Sequence, residues 1–326
     1  MATAEQIKAL LESHAEGDEE RFYAIALQVA AHASRQGHGR LAQELRAKVD
    51  EAKKRGFKNP SIAGPVPVAQ PRGDLASLLS AAYPKTRLPD MVLEKSVQER
   101  LARVLREQRQ QDKLRSHGLR PRNKLLLLGP PGSGKTMTAS ALAGEMSLPL
   151  FTILLDGVIT KFMGETSAKL RLVFDAISRT RGVYLFDEFD AIGGRRSSTN
   201  DVGEIRRVLN SFLQFLEQDD SRSTLVAATN HPEMLDPALF RRFDDVIEYA
   251  LPTPIEVEAV FRNKLALFDT ARVEWKRVVK AAQGLSHSEV TLACQDAAKE
   301  SILHENEHMT TEVLLKAVAE RHASRR

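Results

Sequence analysis

Eight consecutive residues, Gly129-Pro130-Pro131-Gly132-Ser133-Gly134-Lys135-Thr136, satisfy the spacing G-x-x-x-x-G-K-[ST]. Chance alone produces that pattern in about 1 % of chains this long. The glycines let the backbone curl until its N–H groups face inward, and a helix starting there adds positive potential. Such a segment suits a chain of phosphates. Lys135 is expected to reach the β- and γ-phosphates of a nucleotide, and Thr136 to ligate Mg²⁺. A glycine-rich turn without a ligand is the plainer reading. The apolar strand before the segment and the helical stretch Thr138 to Met146 after it speak against that reading.

Gly182-Val183-Tyr184-Leu185-Phe186-Asp187-Glu188 is an apolar run closed by two carboxylates. Ligands of open α/β sheets bind at the C-terminal ends of strands, so these acids are expected beside the phosphate loop. Asp187 suits the Mg²⁺ shell, which takes one or two carboxylates and several waters. Glu188 is placed to orient or deprotonate an attacking water. An acidic strand end alone is most often a turn; its pairing with the phosphate loop gives it meaning.

These groups need a scaffold. From Lys124 onward, apolar runs at 124–128, 150–155, 182–187, 223–229 and 246–250 alternate with amphipathic helices. Leu170, Val173, Phe174 and Ile177 share one helical face; Ile205, Val208, Leu209, Phe212, Leu213 and Leu216 share another. That alternation predicts an α/β fold, a parallel five-stranded sheet flanked by helices over residues 85–252. Strands stop at Pro252 and Pro254, and 253–326 reads as a helical subdomain, with Trp275 and Cys294 as packing residues. Upstream, a helix is expected from about Glu94 to Ser116. Residues 1–55 read as a small helical domain, with Ile7, Leu10 and Leu11, then Phe22, Ile25 and Val29, then Leu41, Leu45 and Val49 as its stripes. Its charged stretch Glu16 to Arg21 reads as a solvated turn or, more sharply, as a partner-docking surface. A proline-rich linker is expected over 56–84, with ordered structure returning at Leu75 to Tyr83.

With these motifs in place the chain resembles an AAA+ superfamily ATPase of the AAA family, over about residues 85 to 322. The resemblance rests on Asp187-Glu188-Phe189-Asp190-Ala191-Ile192-Gly193, on Ala227-Ala228-Thr229-Asn230, and on Leu235-Asp236-Pro237-Ala238. It implies a P-loop NTPase fold with a helical lid, ATP and Mg²⁺ as cofactors, and a homo-oligomeric, hexameric ring. Asn230 is then expected to hold the lytic water opposite Glu188. Arginine fingers are implied in Phe240-Arg241-Arg242-Phe243-Asp244, where the two arginines are adjacent although many relatives separate them. Arg241 is favoured as the finger reaching a neighbour's γ-phosphate and Arg242 as its support; an arginine bound to Asp244 or Asp245 is the alternative for either. Gly284-Leu285-Ser286-His287-Ser288-Glu289-Val290 resembles the opening of the lid's long helix. His287 stands there in place of a small residue, as a surface histidine or, less expectedly, near the ribose.

Lys161-Phe162-Met163-Gly164-Glu165 resembles the family's aromatic-hydrophobic-Gly pore loop, with Phe162, Met163 and Gly164 as the substrate grip. Phe162 packed into the core is the alternative. The polar, basic stretch Gly193 to Glu204 offers a second pore loop. The resemblance therefore implies a motor that remodels or unfolds protein substrates. A nucleic-acid-directed ATPase and an ATP-gated scaffold are the other readings.

The layout of short helical start, linker and one ATPase module also resembles small bacterial ATPases found beside subtilisin-like serine proteases in anti-phage and plasmid defence. The chain itself has no G-x-S-x-G elbow and no H-E-x-x-H pair, so any proteolysis would come from a partner. Composition agrees with this picture. Among 326 residues, 47 lysines and arginines exceed 43 aspartates and glutamates by only 4, too few to argue for nucleic acid. One cysteine excludes an internal disulfide framework. No apolar stretch approaches a membrane span and the N-terminus lacks a secretion signal, so a cytoplasmic protein is expected.

Overall fold

The computed structural model describes residues 48, 71, 73–159, 163–193, 202–304 and 309–324. The chain divides after Val66, and everything below concerns Pro67–Arg326. The helical domain expected over 1–55 (Lys48 apart), Phe162, and the centre of the Gly193 to Glu204 stretch lie outside the described residues.

In chain order the elements are β1 (Leu79–Ala82), α1 (Lys95–Arg109), β2 (Lys124–Leu128), α2 (Lys135–Met146), β3 (Leu150–Ile153) and α3 (Met163–Arg179). Then come β4 (Val183–Phe186), α4 (Val202–Gln218), β5 (Thr224–Thr229) and β6 (Asp245–Glu248). Four helices close the chain: α5 (Pro254–Lys264), α6 (Trp275–Ala281), α7 (His287–Leu303) and α8 (Thr311–Ala323). The strands order as β1-β3-β4-β5-β2-β6. From β3 onward every neighbouring pair is parallel.

β2 shows why the sheet is covered on both sides. Successive side chains of a strand point to opposite faces. Leu125 and Leu127 join one core with Val97, Leu101 and Val104 of α1 and Leu142 of α2. Leu126 and Leu128 join the other with Leu170 and Val173 of α3 and Phe212 and Leu216 of α4. None of the four leucines is more than 4 % exposed. Burial of each contributes about 1.5–3 kcal/mol. Both faces are apolar, so the two-residue period leaves no alternation in the sequence.

The sheet differs from expectation at one edge. It has six strands among the described residues rather than five, because β1 pairs antiparallel with β3, Leu79 opposite Ile153 and Ala82 opposite Leu150. The linker expected over 56–84 thus ends earlier, since Gly73–Ser77 forms a 3₁₀ turn and Leu79–Ala82 a strand. Leu-Ser-Ala-Ala has no strand pattern of its own. It is held by the ladder to β3 and by burial of Leu78 and Leu79, 1 % and 4 % exposed. The helix expected from Glu94 to Ser116 is broken at Gln110 into α1 and a second, six-residue helix, Gln111–Ser116.

Past Pro252 the helices build a third core of their own, with Val257, Phe261, Val278, Ala293, Leu314 and Val318 at its centre. Two helix starts are fixed by reciprocal caps. Thr253 accepts from the Glu256 N–H while the Glu256 carboxylate accepts from the Thr253 N–H, with Pro254 at the first helical position. Ser286 and Glu289 repeat the device at α7. Each such cap is worth about 1 kcal/mol. Cys294 is buried here, and burial pushes its thiol up to about 12.

Candidate active site

Strand order brings the chemistry together. β4, β5 and β2 are consecutive neighbours, so the residues after Phe186, Thr229 and Leu128 emerge side by side at one edge. These are Asp187-Glu188, Asn230 and the loop 129–134. All three segments line one cleft of about 580 Å³.

Two loop glycines are required by close neighbours. Gly129 has φ +146°, and a Cβ there would stand 2.4 Å from the Tyr249 carbonyl oxygen. Tyr249 anchors this contact: its N–H donates to the Leu128 carbonyl at 2.7 Å, and its hydroxyl meets Thr138 Oγ1 at 2.7 Å. Gly132 has φ +73°, and a Cβ would lie 2.7 Å from Ser286 Oγ. The Ser288 N–H donates to the Gly132 carbonyl at 3.0 Å, so the first turn of α7 rests directly on the loop.

Lys135 is only 6 % exposed. Its Nζ donates to the Gly129 and Pro130 carbonyls at 2.7 and 2.8 Å and to Asn230 Oδ1 at 2.7 Å. Burial holds the ammonium below its ordinary pKa, and the negative charge of Asp187 opposes that shift. Asn230, expected to hold a water, here meets the lysine directly. Thr136 Oγ1 donates to Asp187 Oδ2 at 2.7 Å, so the two oxygens assigned to Mg²⁺ already touch. The donor set fits the expected group: a buried cation with oxygen partners, a hydroxyl against a carboxylate, and a helix start. A hydroxyl and a carboxylate are the hard oxygen ligands that Mg²⁺ takes beside water and phosphate. Pro130 and Ser133 belong to the same loop, and Pro131, Gly132, Ser133 and Gly134 line the cleft.

Glu188 is exposed and sits at φ +50°, a left-handed backbone rare for a side chain other than glycine. Such a conformation costs about 1–3 kcal/mol and persists only where neighbours enforce it. The enforcing group is Phe189. Its N–H donates to the Ala228 carbonyl at 2.9 Å, and its ring is fully buried against Phe186, Phe212 and Phe243. The chain therefore turns sharply after Asp187. A second clamp was missed in the sequence: Thr229 Oγ1 donates to Asp190 Oδ1 at 2.7 Å, tying the carboxylate turn to the end of β5. Both residues stood in the quoted motifs, and only their proximity reveals the bond.

The two arginines separate. Arg242 is ion-paired with Glu217 of α4. The exposed Arg241 guanidinium has no hydrogen-bond or ion-pair partner among the described residues. Neither lines the cleft. Asp244, the alternative partner for an arginine, instead accepts from the backbone N–H groups of Asn123 and Lys124. Met163 and Gly164 form the start of α3. His287 is not a surface histidine: it is partly buried, lines the cleft, and both ring nitrogens are enclosed. No helix among the described residues is long and apolar enough to cross a membrane.

Comparison with known proteins agrees with this geometry. The profile of the ATPase family associated with various cellular activities (AAA) matches residues 125–251, which hold the loop, both carboxylates and Asn230. An uncharacterized AAA family ATPase, y4kL, of Sinorhizobium fredii is 33 % identical over 308 residues, 93 % of this chain and 90 % of the relative. A probable 26S proteasome regulatory subunit 10B of Caenorhabditis elegans is 34 % identical over 211 residues, 62 % of this chain and 52 % of that one. A proteasome-activating nucleotidase of Methanococcus vannielii is 31 % identical over 218 residues, 64 % of this chain and 54 % of that one. The chain spans about half the length of these two proteasomal relatives. Likeness along nine-tenths of both chains in the first case, with the phosphate loop and its carboxylates inside the matched segment, identifies this protein as a member of the AAA family of ATPases, whose chemistry is ATP hydrolysis.

Proposed function

We propose that this ATPase is a protein-remodelling motor in the cytoplasm whose active site is completed by a neighbouring copy in a hexameric ring. The arginine pair carries the reading. Arg242 is occupied by Glu217, while Arg241 is exposed, unpaired among the described residues, and outside its own cleft. An unpaired guanidinium in that position suits a phosphate presented by another molecule, and Arg242 suits a support that holds the segment.

Within one copy, Lys135 and the loop N–H groups would hold the phosphates, and Thr136 with Asp187 would hold Mg²⁺, which when bound would neutralise charge on the phosphates. The carboxylate of Glu188 takes the proton of the attacking water, and Asn230, which accepts from Lys135, lines the same cleft. Protein as the substrate is supported by relatives named as proteasome-activating nucleotidase and as an ATP-dependent zinc metalloprotease, FtsH 3, of Sphaerobacter thermophilus. It is supported too by the Lys161-Phe162-Met163-Gly164-Glu165 segment, whose last three residues begin α3. A subtilisin-like serine protease partner and a role in anti-phage defence rest on the layout of short helical start, linker and one ATPase module alone.

The substrate reading is tested with Phe162→Ala. Basal ATP turnover is expected to stay within about twofold of wild type, since the residue belongs to neither the Gly129–Thr136 motif nor the Asp187-Glu188 pair in the sequence. ATP-dependent unfolding of a tagged, unstructured-ended model protein should be lost. Unfolding at the wild-type rate contradicts the grip assigned to Phe162. Stimulation of turnover by DNA and not by unfolded protein contradicts the protein substrate.

A further inference from the structure

Tyr249 stands where the sheet passes into the lid: β6 ends at Glu248, and α5 begins at Pro254. Its backbone is committed to the phosphate loop through the bond to Leu128 and the close approach to Gly129. Its side chain is buried in the core shared with α1 and α2. A phenol hydroxyl buried there needs a partner, and it meets Thr138 Oγ1 at 2.7 Å. Thr138 is itself fully buried.

Thr138 in turn donates to the Gly134 carbonyl at 3.0 Å. A threonine hydroxyl has one proton to give, and a carbonyl oxygen only accepts. For both bonds to stand together, the phenol must donate to Thr138 and Thr138 to Gly134. Burial pushes the Tyr249 phenol above its ordinary pKa, with the Thr138 bond acting in the opposite sense, so the phenol keeps the proton this chain requires. The Gly134 carbonyl also accepts from the Thr138 N–H at 2.8 Å and is therefore held twice.

Gly134 ends the loop at φ +103°, and Lys135 is the first residue of α2. In a trans peptide the N–H points away from the carbonyl before it. Pinning the Gly134 carbonyl thus fixes the Lys135 amide, one of the N–H groups at a helix start that have no partner within the helix. Such groups meet anions. Two apolar side chains of the same shape would pack this space about as well, so the buried hydroxyl pair points to a role beyond packing.

We propose that Tyr249 and Thr138 are positioning residues of the phosphate site: a hydroxyl relay that holds the Gly134–Lys135 peptide in the orientation presenting the Lys135 N–H to phosphate. The proposal rests on the loop 129–136 being the phosphate site. It ties the grip on phosphate to the segment that carries the lid, since Tyr249 shares a pocket of about 30 Å³ with Thr253 and Glu256 of the lid's first cap. A pair that only packs α2 against the end of β6 is the competing explanation.

Calorimetric titration of the full chain with ATP and with tripolyphosphate, beside steady-state turnover, separates the two. Thr138→Val keeps the shape and loses the hydroxyl. Its affinity for both ligands is expected to fall about fivefold to tenfold, the worth of one hydrogen bond. Tyr249→Phe keeps the ring and loses the donor, and should weaken both about threefold to fivefold. The double variant should bind no more weakly than Thr138→Val, because both changes act through one carbonyl. Thr138→Ser keeps the relay and should stay within about twofold of wild type. The losses should appear in KM rather than kcat, as for an interaction made alike in the bound and reacting states.

Thr138→Val strands the phenol; should it fail to fold, Tyr249→Phe decides alone, since Thr138 still has Gly134 to bond. Tripolyphosphate affinity within about twofold of wild type in the folded variants overturns the relay, whether or not they melt lower, and leaves a packing pair. A loss in Thr138→Ser as large as in Thr138→Val overturns it too, because the methyl arrangement and not the hydroxyl then matters. So does a double variant whose losses multiply. Lys135→Ala checks the phosphate site separately. If it weakens both ligands while the relay variants do not, the relay alone falls. If it binds both as wild type does, the loop is not the phosphate site and both readings fall.

Discussion

Arg241→Ala is expected to bind ATP as wild type does and to turn it over about 10³-fold more slowly or worse. An arginine aimed at the transferring phosphoryl group acts on charge that develops only in the transition state, so its loss falls on kcat and leaves KM nearly unchanged. The structure gives reason to expect no collateral damage. The side chain is exposed, it has no hydrogen-bond or ion-pair partner among the described residues, and it does not line its own cleft. Folding stability should stay within about 0.5 kcal/mol of wild type, as for a surface substitution without partners. Arg242→Ala is a sharper comparison than any distant control, because it removes the ion pair with Glu217. That pair is largely exposed, at 40 % and 48 %, and contributes about 0–1 kcal/mol. Steady-state kinetics of both variants at one protein concentration decides the assignment. Equal kcat for Arg241→Ala and wild type removes Arg241 from the chemistry.

Glu188→Gln is expected to bind ATP and hydrolyse it about 10²- to 10⁴-fold more slowly. The amide is nearly isosteric with the carboxylate but cannot take a proton. The left-handed backbone at φ +50° is enforced by Phe189, buried among Phe186, Phe212 and Phe243, so the turn should survive the change. The side chain is exposed, and its removal leaves no buried partner stranded. The result is a variant that holds ATP in an intact site. Single-turnover hydrolysis measured beside nucleotide affinity checks both halves. Loss of binding together with turnover would show that Glu188 shapes the cleft rather than activates water. The same variant, held in its ATP state, is the natural bait for retaining an unidentified substrate.

Much of this site was legible because it is local. The phosphate loop is eight contiguous residues, and its glycines, Lys135 and Thr136 announce their work by spacing. Asp187 and Glu188 were legible as a strand end, and the parallel order of strands followed from their alternation with helices. The caps at Thr253 and Ser286 are local too, each spanning four residues. What escaped depends on residues far apart in the chain. β1 exists because β3 offers it a ladder some seventy positions later. Gly129 is obligatory because of Tyr249, and Gly132 because of Ser286. The two adjacent arginines are chemically identical in sequence and become distinct only when Glu217 takes one of them. His287 read as a surface residue because its neighbours in sequence are polar, while its enclosure comes from the cleft and from the pocket it shares with Tyr249 and Glu256.

The strained turn at Glu188 and the aromatic cluster around Phe189 connect these facts. Phe189 follows Glu188, and Phe243 follows the arginine pair. Their rings meet at 6.3 Å between centroids and 85° between planes. The segment that offers Arg241 outward is thus packed on the residue that fixes Glu188 inward. One rigid aromatic contact spaces the two groups that the proposal places on opposite sides of a shared site.

Mixing two inactive variants bears most directly on that shared site. Lys135→Ala lacks a working phosphate loop but keeps Arg241; Arg241→Ala keeps its loop but lacks the arginine. If the arginine serves a neighbouring copy, the mixture contains interfaces in which an intact loop faces an intact Arg241. Turnover should then rise well above the sum of the two variants alone, with a dependence on protein concentration. A mixture no more active than that sum, under conditions where the two variants demonstrably assemble together, would contradict a site completed between copies.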